Sequence, residues 1–173
     1  TRDAYPPKEI PEQLVVVGSG VTGVEFVHMF SSLGSEVTLI VSRQQVLPNK
    51  DPEAAALLEQ TLLDRGVQLL KGARAVGVKR IGNKVEVYCS DGRVAKGSHA
   101  LIAIGSQPNT ESLGLDNANV LLNSDGHVEV DHNLKSSVPS IYVAGDLSGK
   151  LPLSSVAAMQ GRKIAEHIMG LHD

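Results

Sequence analysis

Hydrophobic positions along this chain change period several times, and each change marks an element. Leu14 through Val17 form a short run without polar interruption, the pattern of a parallel strand covered on both faces. The residues that follow predict a helix from about Gly20 to Ser32, and Gly34 supplies the left-handed residue that commonly closes one. "EVTLIV", Glu36 to Val41, returns as a second buried strand, which completes a βαβ unit of about 30 residues.

"NKDPEAAALLEQTLLDRG" then carries a helix start: Asp51 as cap, Pro52 at the first helical position and Glu53 in the first turn. Leu57, Leu58, Leu62 and Leu63 are its expected apolar stripe, Gly66 its end, and "VQLLKG" a further short strand. From Ala75 to Ile104 the pattern becomes closely spaced strands, "AVGVKRI", "KVEVYCS" and "HALIAIG", punctuated by Gly82-Asn83 and Asp91-Gly92. These predict a three-stranded antiparallel meander. Asn109 to Asp125 is polar and glycine-bearing, with a weak "VLLN" strand, and is the best candidate for a crossing between domains. "GHVEV" and "SIYVAGD" read as strands, and "PLSSVAAMQGRKIAEHIMG" as a helix packed through its small residues. The opening segment, with prolines at 6, 7 and 11, reads as an extended lead-in. The fold class is therefore α/β, a Rossmann-like parallel sheet with helices plus a meander.

Composition narrows the function. The 173 residues suffice for a sizeable core. Sixteen basic residues against 19 acidic ones give a net charge of -3, which offers nothing to nucleic acid or an anionic membrane. Aromatic residues make up 3% and tryptophan is absent, so base-stacking platforms are not expected. Cys89 is the one cysteine, which excludes an internal disulfide, a redox pair or a multi-cysteine metal site within these residues, and it is expected to be a packed thiol. His28, His99, His127, His132, His167 and His172 lack zinc-site spacing, and no metal is expected. No stretch approaches the roughly 20 apolar residues of a membrane span, and "TRDAYPPKEIPEQ" lacks a signal-peptide core, so the expected location is cytoplasmic.

The chemistry sits in "VVVGSGVTGVEF". Gly18, Gly20 and Gly23 match G-x-G-x-x-G at a strand-to-helix junction, where a tight turn, a close approach to pyrophosphate and close helix packing are needed. Gly18, Ser19, Gly20, Val21, Thr22 and Gly23 are thus the expected dinucleotide loop, at a helix amino terminus that favours phosphate. The second strand ends in Val41, Ser42 and Arg43, with no carboxylate for an adenosine ribose. Either Ser42 and Arg43 meet the 2′-phosphate of NADP, or Arg43 is a solvated loop residue; NADP or NAD remains open.

The ordered set "VVVGSGVTGVEF", "VTLIVSRQQVLP", "LIAIGSQPNT", "SIYVAGDLSG" and "PLSSVAAMQGR" resembles the middle of a pyridine nucleotide-disulfide oxidoreductase, the flavoprotein family of dihydrolipoamide dehydrogenase and glutathione reductase. Within it the chain looks most like a dihydrolipoamide-dehydrogenase-like branch that includes NAD(P)H quinone reductases. The resemblance implies that Glu25, two residues past the third glycine, lies near the nicotinamide and pairs with a flavin-domain lysine; a plain first-turn glutamate favoured by the helix dipole is the alternative. It implies that Gly105 contacts the nicotinamide nucleotide, with Ser106 standing where many members have arginine. It implies that Asp146 binds the ribityl chain of FAD and that Pro152, Leu153, Ser154 and Ser155 begin a helix facing the flavin; otherwise Asp146 is a turn residue and a serine a cap. The family order then makes residues 1–115 the NAD(P)-binding domain with its lead-in and 116–173 an incomplete second segment of the FAD-binding domain. Such a portion is expected to bind NADPH or NADH, to hold FAD poorly alone and to turn nothing over, within a parent enzyme expected to be a homodimer. A stand-alone nucleotide-binding or redox-sensing module is the rival expectation.

Overall fold

The computed structural model describes Ala4 and residues 7–171. Pro6 of the expected lead-in and His172 lie outside the described residues. Two compact units divide the chain, Thr1–Gly105 and Ser106–Asp173.

The first unit runs β1 (Gln13–Val17), α1 (Val21–Ser32), β2 (Glu36–Val41), α2 (Pro52–Asp64), β3 (Gln68–Lys71), β4 (Ala75–Ile81), β5 (Lys84–Cys89), β6 (Val94–Gly97) and β7 (His99–Ile102). β1, β2, β3 and β7 form a parallel sheet in the order β3-β2-β1-β7, and β4, β5 and β6 an antiparallel one. The unbroken apolar run of β1 follows from this geometry. Leu14 and Val16 face Val24, Val27 and Phe30 of α1, while Val15 and Val17 face Val87, Cys89 and Ala95 of the antiparallel sheet. β2 alternates likewise, with Val37, Leu39 and Val41 toward the helices and Ile40 toward the meander. Val15, Val16, Leu39 and Val41 are fully buried, each contributing roughly 1.5–3 kcal/mol relative to exposure.

α1 and β2 form over the expected residues, and Gly34 closes α1 with φ +95°. Asp51 caps α2 through Oδ1, which accepts from the amides of Glu53 and Ala54. Its inward face differs from the expected leucine stripe: Leu57 is 70% and Leu63 48% exposed, whereas Ala55, Glu59 and Leu62 are buried. These three share one side at helical spacing, with Leu63 at its flank and Leu57 on the opposite side.

The meander also differs from expectation in its third strand. β6 takes that place, pairing Val85 with Gly97 and Val87 with Ala95, and "HALI" crosses into the parallel sheet beside β1. The corner is made at Gly97, where a Cβ would lie 2.8 Å from the Gln13 carbonyl oxygen, and at Ser98, whose amide and hydroxyl both donate to that oxygen at 2.8 Å. On the meander's outer face Lys96 pairs with Glu86 at 2.8 Å and the Tyr88 hydroxyl donates to Glu86 at 2.7 Å. Lys96 first, and Tyr88 second, hold the Glu86 carboxyl below the usual carboxylate range. Burial pushes the Cys89 thiol up, as a packed thiol requires.

The second unit has a small core of Val120, Val128 and Val143. Its expected strands "VLLN", "GHVEV" and "SIYVAGD" reduce to the single bridges Leu122–Val128 and Lys135–Tyr142, because these segments meet no continuous neighbour among the described residues. α3 (Ser154–Ile168) forms as expected. Of its small residues Ala157 is half-buried beside Gly145, whereas Ala158, Gly161 and Ala165 are exposed, and Gln160 is its one buried residue.

Candidate functional site

In the first unit the expected nucleotide residues gather at the carboxyl ends of three adjacent strands. Gly18 follows β1, Ser42 and Arg43 follow β2, and Gly105 lies three residues beyond β7. The amide of Gly18 donates to the Ile40 carbonyl at 3.2 Å, and that of Ala103 to the Val17 carbonyl at 2.8 Å, so the three chain exits stay side by side. The chain runs outward from β1 to β2 and β3, then returns to β7 on the other side of β1. The β1/β7 seam is therefore the topological switch point, where open α/β sheets bind ligands.

The three glycines are held for different reasons. Gly18 has φ +107°, and a Cβ there would sit 2.3 Å from the Ala103 carbonyl oxygen. At Gly23 a Cβ would sit 1.9 Å from the Gly18 carbonyl oxygen, so only glycine lets α1 lie against the loop. Gly20 is unlike both: its φ of -71° suits any residue and a Cβ would meet nothing within 4 Å. Nothing inside the described protein requires glycine at position 20. The space on which its side chain would open is free of protein atoms. Gly20 is also the N-cap of α1, with no side-chain cap and no acid in the first turn, so the leading amides of the helix have no side-chain acceptor among the described residues.

Val21 and Thr22 are exposed beside Gly20, and Ser19 is buried. Glu25 is exposed at the fifth position of α1. It lies past the first turn, which removes the helix-dipole account of its presence. Arg43 and Ser42 are exposed, and the Arg43 guanidinium has no partner among the described residues. Its carbonyl accepts from Gly72 at 3.0 Å, which fixes the backbone while the side chain reaches outward. Gly105 has φ +147°, with open space where a Cβ would point.

In the second unit Asp146 is exposed and opens a turn of 3-10 helix, Asp146–Ser148, after Gly145. Gln160, buried in α3, holds this turn: its Oε1 accepts from the Gly145 amide at 2.7 Å and its Nε2 donates to Ser148 Oγ at 3.3 Å. Ser154 and Ser155 are the first residues of α3, not its cap; that position is Leu153, with no side-chain hydrogen bond. Pro152 and Leu153 are exposed ahead of it. Sequence reasoning missed Gln160 and Glu59. Each is a lone polar residue on the inward face of an amphipathic helix, and helical spacing from Ala157 or Ala55 would have flagged it.

Among the described residues no three His, Cys, Asp or Glu side chains converge as metal ligands, and no helix is long and apolar enough to cross a membrane.

Residues 1–161 match the family model described as pyridine nucleotide-disulphide oxidoreductase. An NAD(P)H dehydrogenase (quinone) of Mycobacterium tuberculosis is 47% identical over 169 residues, which cover 98% of this chain and 34% of that protein. A dihydrolipoyl dehydrogenase of Chlamydia muridarum is 34% identical over 166 residues, 96% of this chain and 36% of that one. Among solved structures, LpdA from Mycobacterium tuberculosis superposes with a TM-score of 0.87 at 48% identity, covering 96% of this chain and 36% of its own. The HOCl-induced flavoprotein disulfide reductase RclA from Escherichia coli gives 0.90 at 30% identity, covering 97% and 38%. The chain thus spans about a third of the length of the relatives it matches.

Proposed function

Because this chain belongs to the pyridine nucleotide-disulphide oxidoreductase family, we propose that it is the NAD(P)H-binding portion of a larger FAD-dependent oxidoreductase. One observation carries the reading: Gly20, alone among the three loop glycines, has open space where its side chain would be and an ordinary backbone conformation. In this reading the pyrophosphate lies over Gly20, the free amides of Val21 and Thr22 face it, and Gly18 and Gly23 keep the loop tight.

Arg43 and Ser42 receive the adenosine end, where a guanidinium and a hydroxyl suit the 2′-phosphate of NADP. Gly105 leaves room beside the nicotinamide, and Glu25 helps to position it. Residues 1–115 serve this nucleotide, and 116–173 the flavin, through Asp146 and the helix start at Pro152–Ser155. The uncapped amides there favour negative charge on a bound flavin. The cofactors supply the chemistry, hydride passing from nicotinamide to FAD and electrons onward to a disulfide, quinone or similar acceptor, while the protein supplies placement. Relatives named for quinone and for dihydrolipoyl substrates support that range of acceptors.

Titration calorimetry of the 173-residue chain with NADPH and NADH tests the reading. Binding of at least one nucleotide, with a Kd on the order of micromolar to tens of micromolar, is expected; no heat with either overturns it.

A further inference from the structure

Glu59 is a buried carboxylate that the nucleotide site as described does not use. Its side chain is 11% exposed, on the inward face of α2. Both oxygens are engaged: Oε1 accepts from the Val46 amide at 2.9 Å, and Oε2 accepts from the Lys71 ammonium, at the end of β3, at 2.6 Å. Val46 belongs to the loop that follows β2 and carries Ser42 and Arg43. The next residue, Leu47, holds a left-handed backbone at φ +48° and donates its amide to the carbonyl of Ser19, inside the glycine loop, at 2.8 Å. Two consecutive amides of one loop are thus tied in different directions, one to α2 through Glu59 and one to the dinucleotide loop. Gly72, directly after Lys71, ties the near end by donating to the Arg43 carbonyl.

We propose that Glu59 is a positioning residue for nucleotide discrimination: by holding Val46, and through it Leu47, it fixes the loop that presents Arg43 to the adenosine ribose beside the glycine cradle. This rests on the nucleotide-binding reading of the same site. A short loop fastened at Arg43, Val46 and Leu47 leaves the exposed guanidinium a restricted range of positions, and a bidentate phosphate contact depends on that restriction. A neutral acceptor at position 59 would still hold the Val46 amide, whereas a methyl group would leave that amide without its partner.

The test measures NADPH and NADH affinities of the unchanged chain, Glu59→Ala and Glu59→Gln, with amide hydrogen exchange at Val46 and Leu47 read on the same samples. The unchanged chain is expected to favour NADPH. Glu59→Ala should lose about tenfold of that preference and exchange faster at both amides, while Glu59→Gln should retain most of the preference and of the protection. Equal weakening of both nucleotides, or an unchanged ratio in Glu59→Ala, overturns the positioning role and leaves nucleotide binding standing. Failure of the unchanged chain to bind either nucleotide removes the reading beneath it, and unchanged exchange at Val46 refutes the tie itself.

Discussion

Replacing Gly20 and Gly23 by alanine, one at a time, separates a glycine kept for a ligand from a glycine kept for the fold. At Gly23 the new Cβ would lie 1.9 Å from the Gly18 carbonyl oxygen, against an ordinary carbon–oxygen contact of about 3.3 Å. α1 must then retreat from the loop by roughly 1.4 Å, an overpacking that costs about 3 kcal/mol and about 6–12 °C in Tm for a chain of this size. At Gly20 the new methyl meets no protein atom within 4 Å. Stiffening the unfolded chain stabilises by about 0.4–1 kcal/mol, and alanine is a poorer N-cap than glycine by a similar amount, so the two effects nearly cancel. The methyl would instead occupy the space taken by a pyrophosphate. An overpacking of about 1.4–2.8 kcal/mol at that contact weakens binding by about 10- to 100-fold. Thermal unfolding followed by circular dichroism and calorimetric titration with NADPH read the two effects separately. The reasoning is refuted if Gly20→Ala binds nucleotide as tightly as the unchanged chain, or if Gly23→Ala is no less stable than Gly20→Ala.

Three further outcomes follow from the structure. Gln160→Ala leaves the half-buried Gly145 amide and the buried Ser148 hydroxyl without their partner, and should cost about 2 kcal/mol in urea unfolding; a loss indistinguishable from zero would contradict the clamp. Glu86 has a carboxyl held below its ordinary value of 4.5, so its contribution is full above that pH and fades as pH falls through the lowered value. Glu86→Gln should therefore show a shallower loss of stability on acidification below pH 4.5, and parallel acid-unfolding curves would count against it. Cys89 is buried, with its thiol pushed up in pKa; it should react with a thiol reagent far more slowly in the native chain than in urea, and equal rates would show the site open.

The glycine loop and its βαβ frame were legible in sequence because each demand falls on consecutive residues: β1 buried on both faces reads as Leu14 to Val17, and the turn reads as glycine. The capped start of α2 was legible for the same reason, since Asp51 and Pro52 act on their immediate neighbours. What escaped depends on partners distant along the chain. "HALI" has the same local pattern whether it closes a meander or runs beside β1, and the Ser98–Gln13 contacts that decide between them span 85 residues. Leu57 and Leu63 of α2 point away from its true inward face, because burial follows angular position and that face carries Ala55, Glu59 and Leu62. Glu59 and Gln160 escaped because a polar residue in an apolar stripe acquires meaning only from the amides it meets, Val46 and Gly145, which lie in other elements. The segment Ser140 to Asp146 shows the converse. Its apolar residues suit a strand, and among the described residues it finds a single bridge.

The central claim, a dinucleotide cradled at Gly20, is tested most directly by adding NADPH to the isotopically labelled chain and following backbone amide resonances. The account predicts that Gly20, Val21 and Thr22 shift together and saturably, with Arg43 and Gly105 moving alongside them. Shifts confined to other parts of the chain, or none at saturating nucleotide, would contradict it.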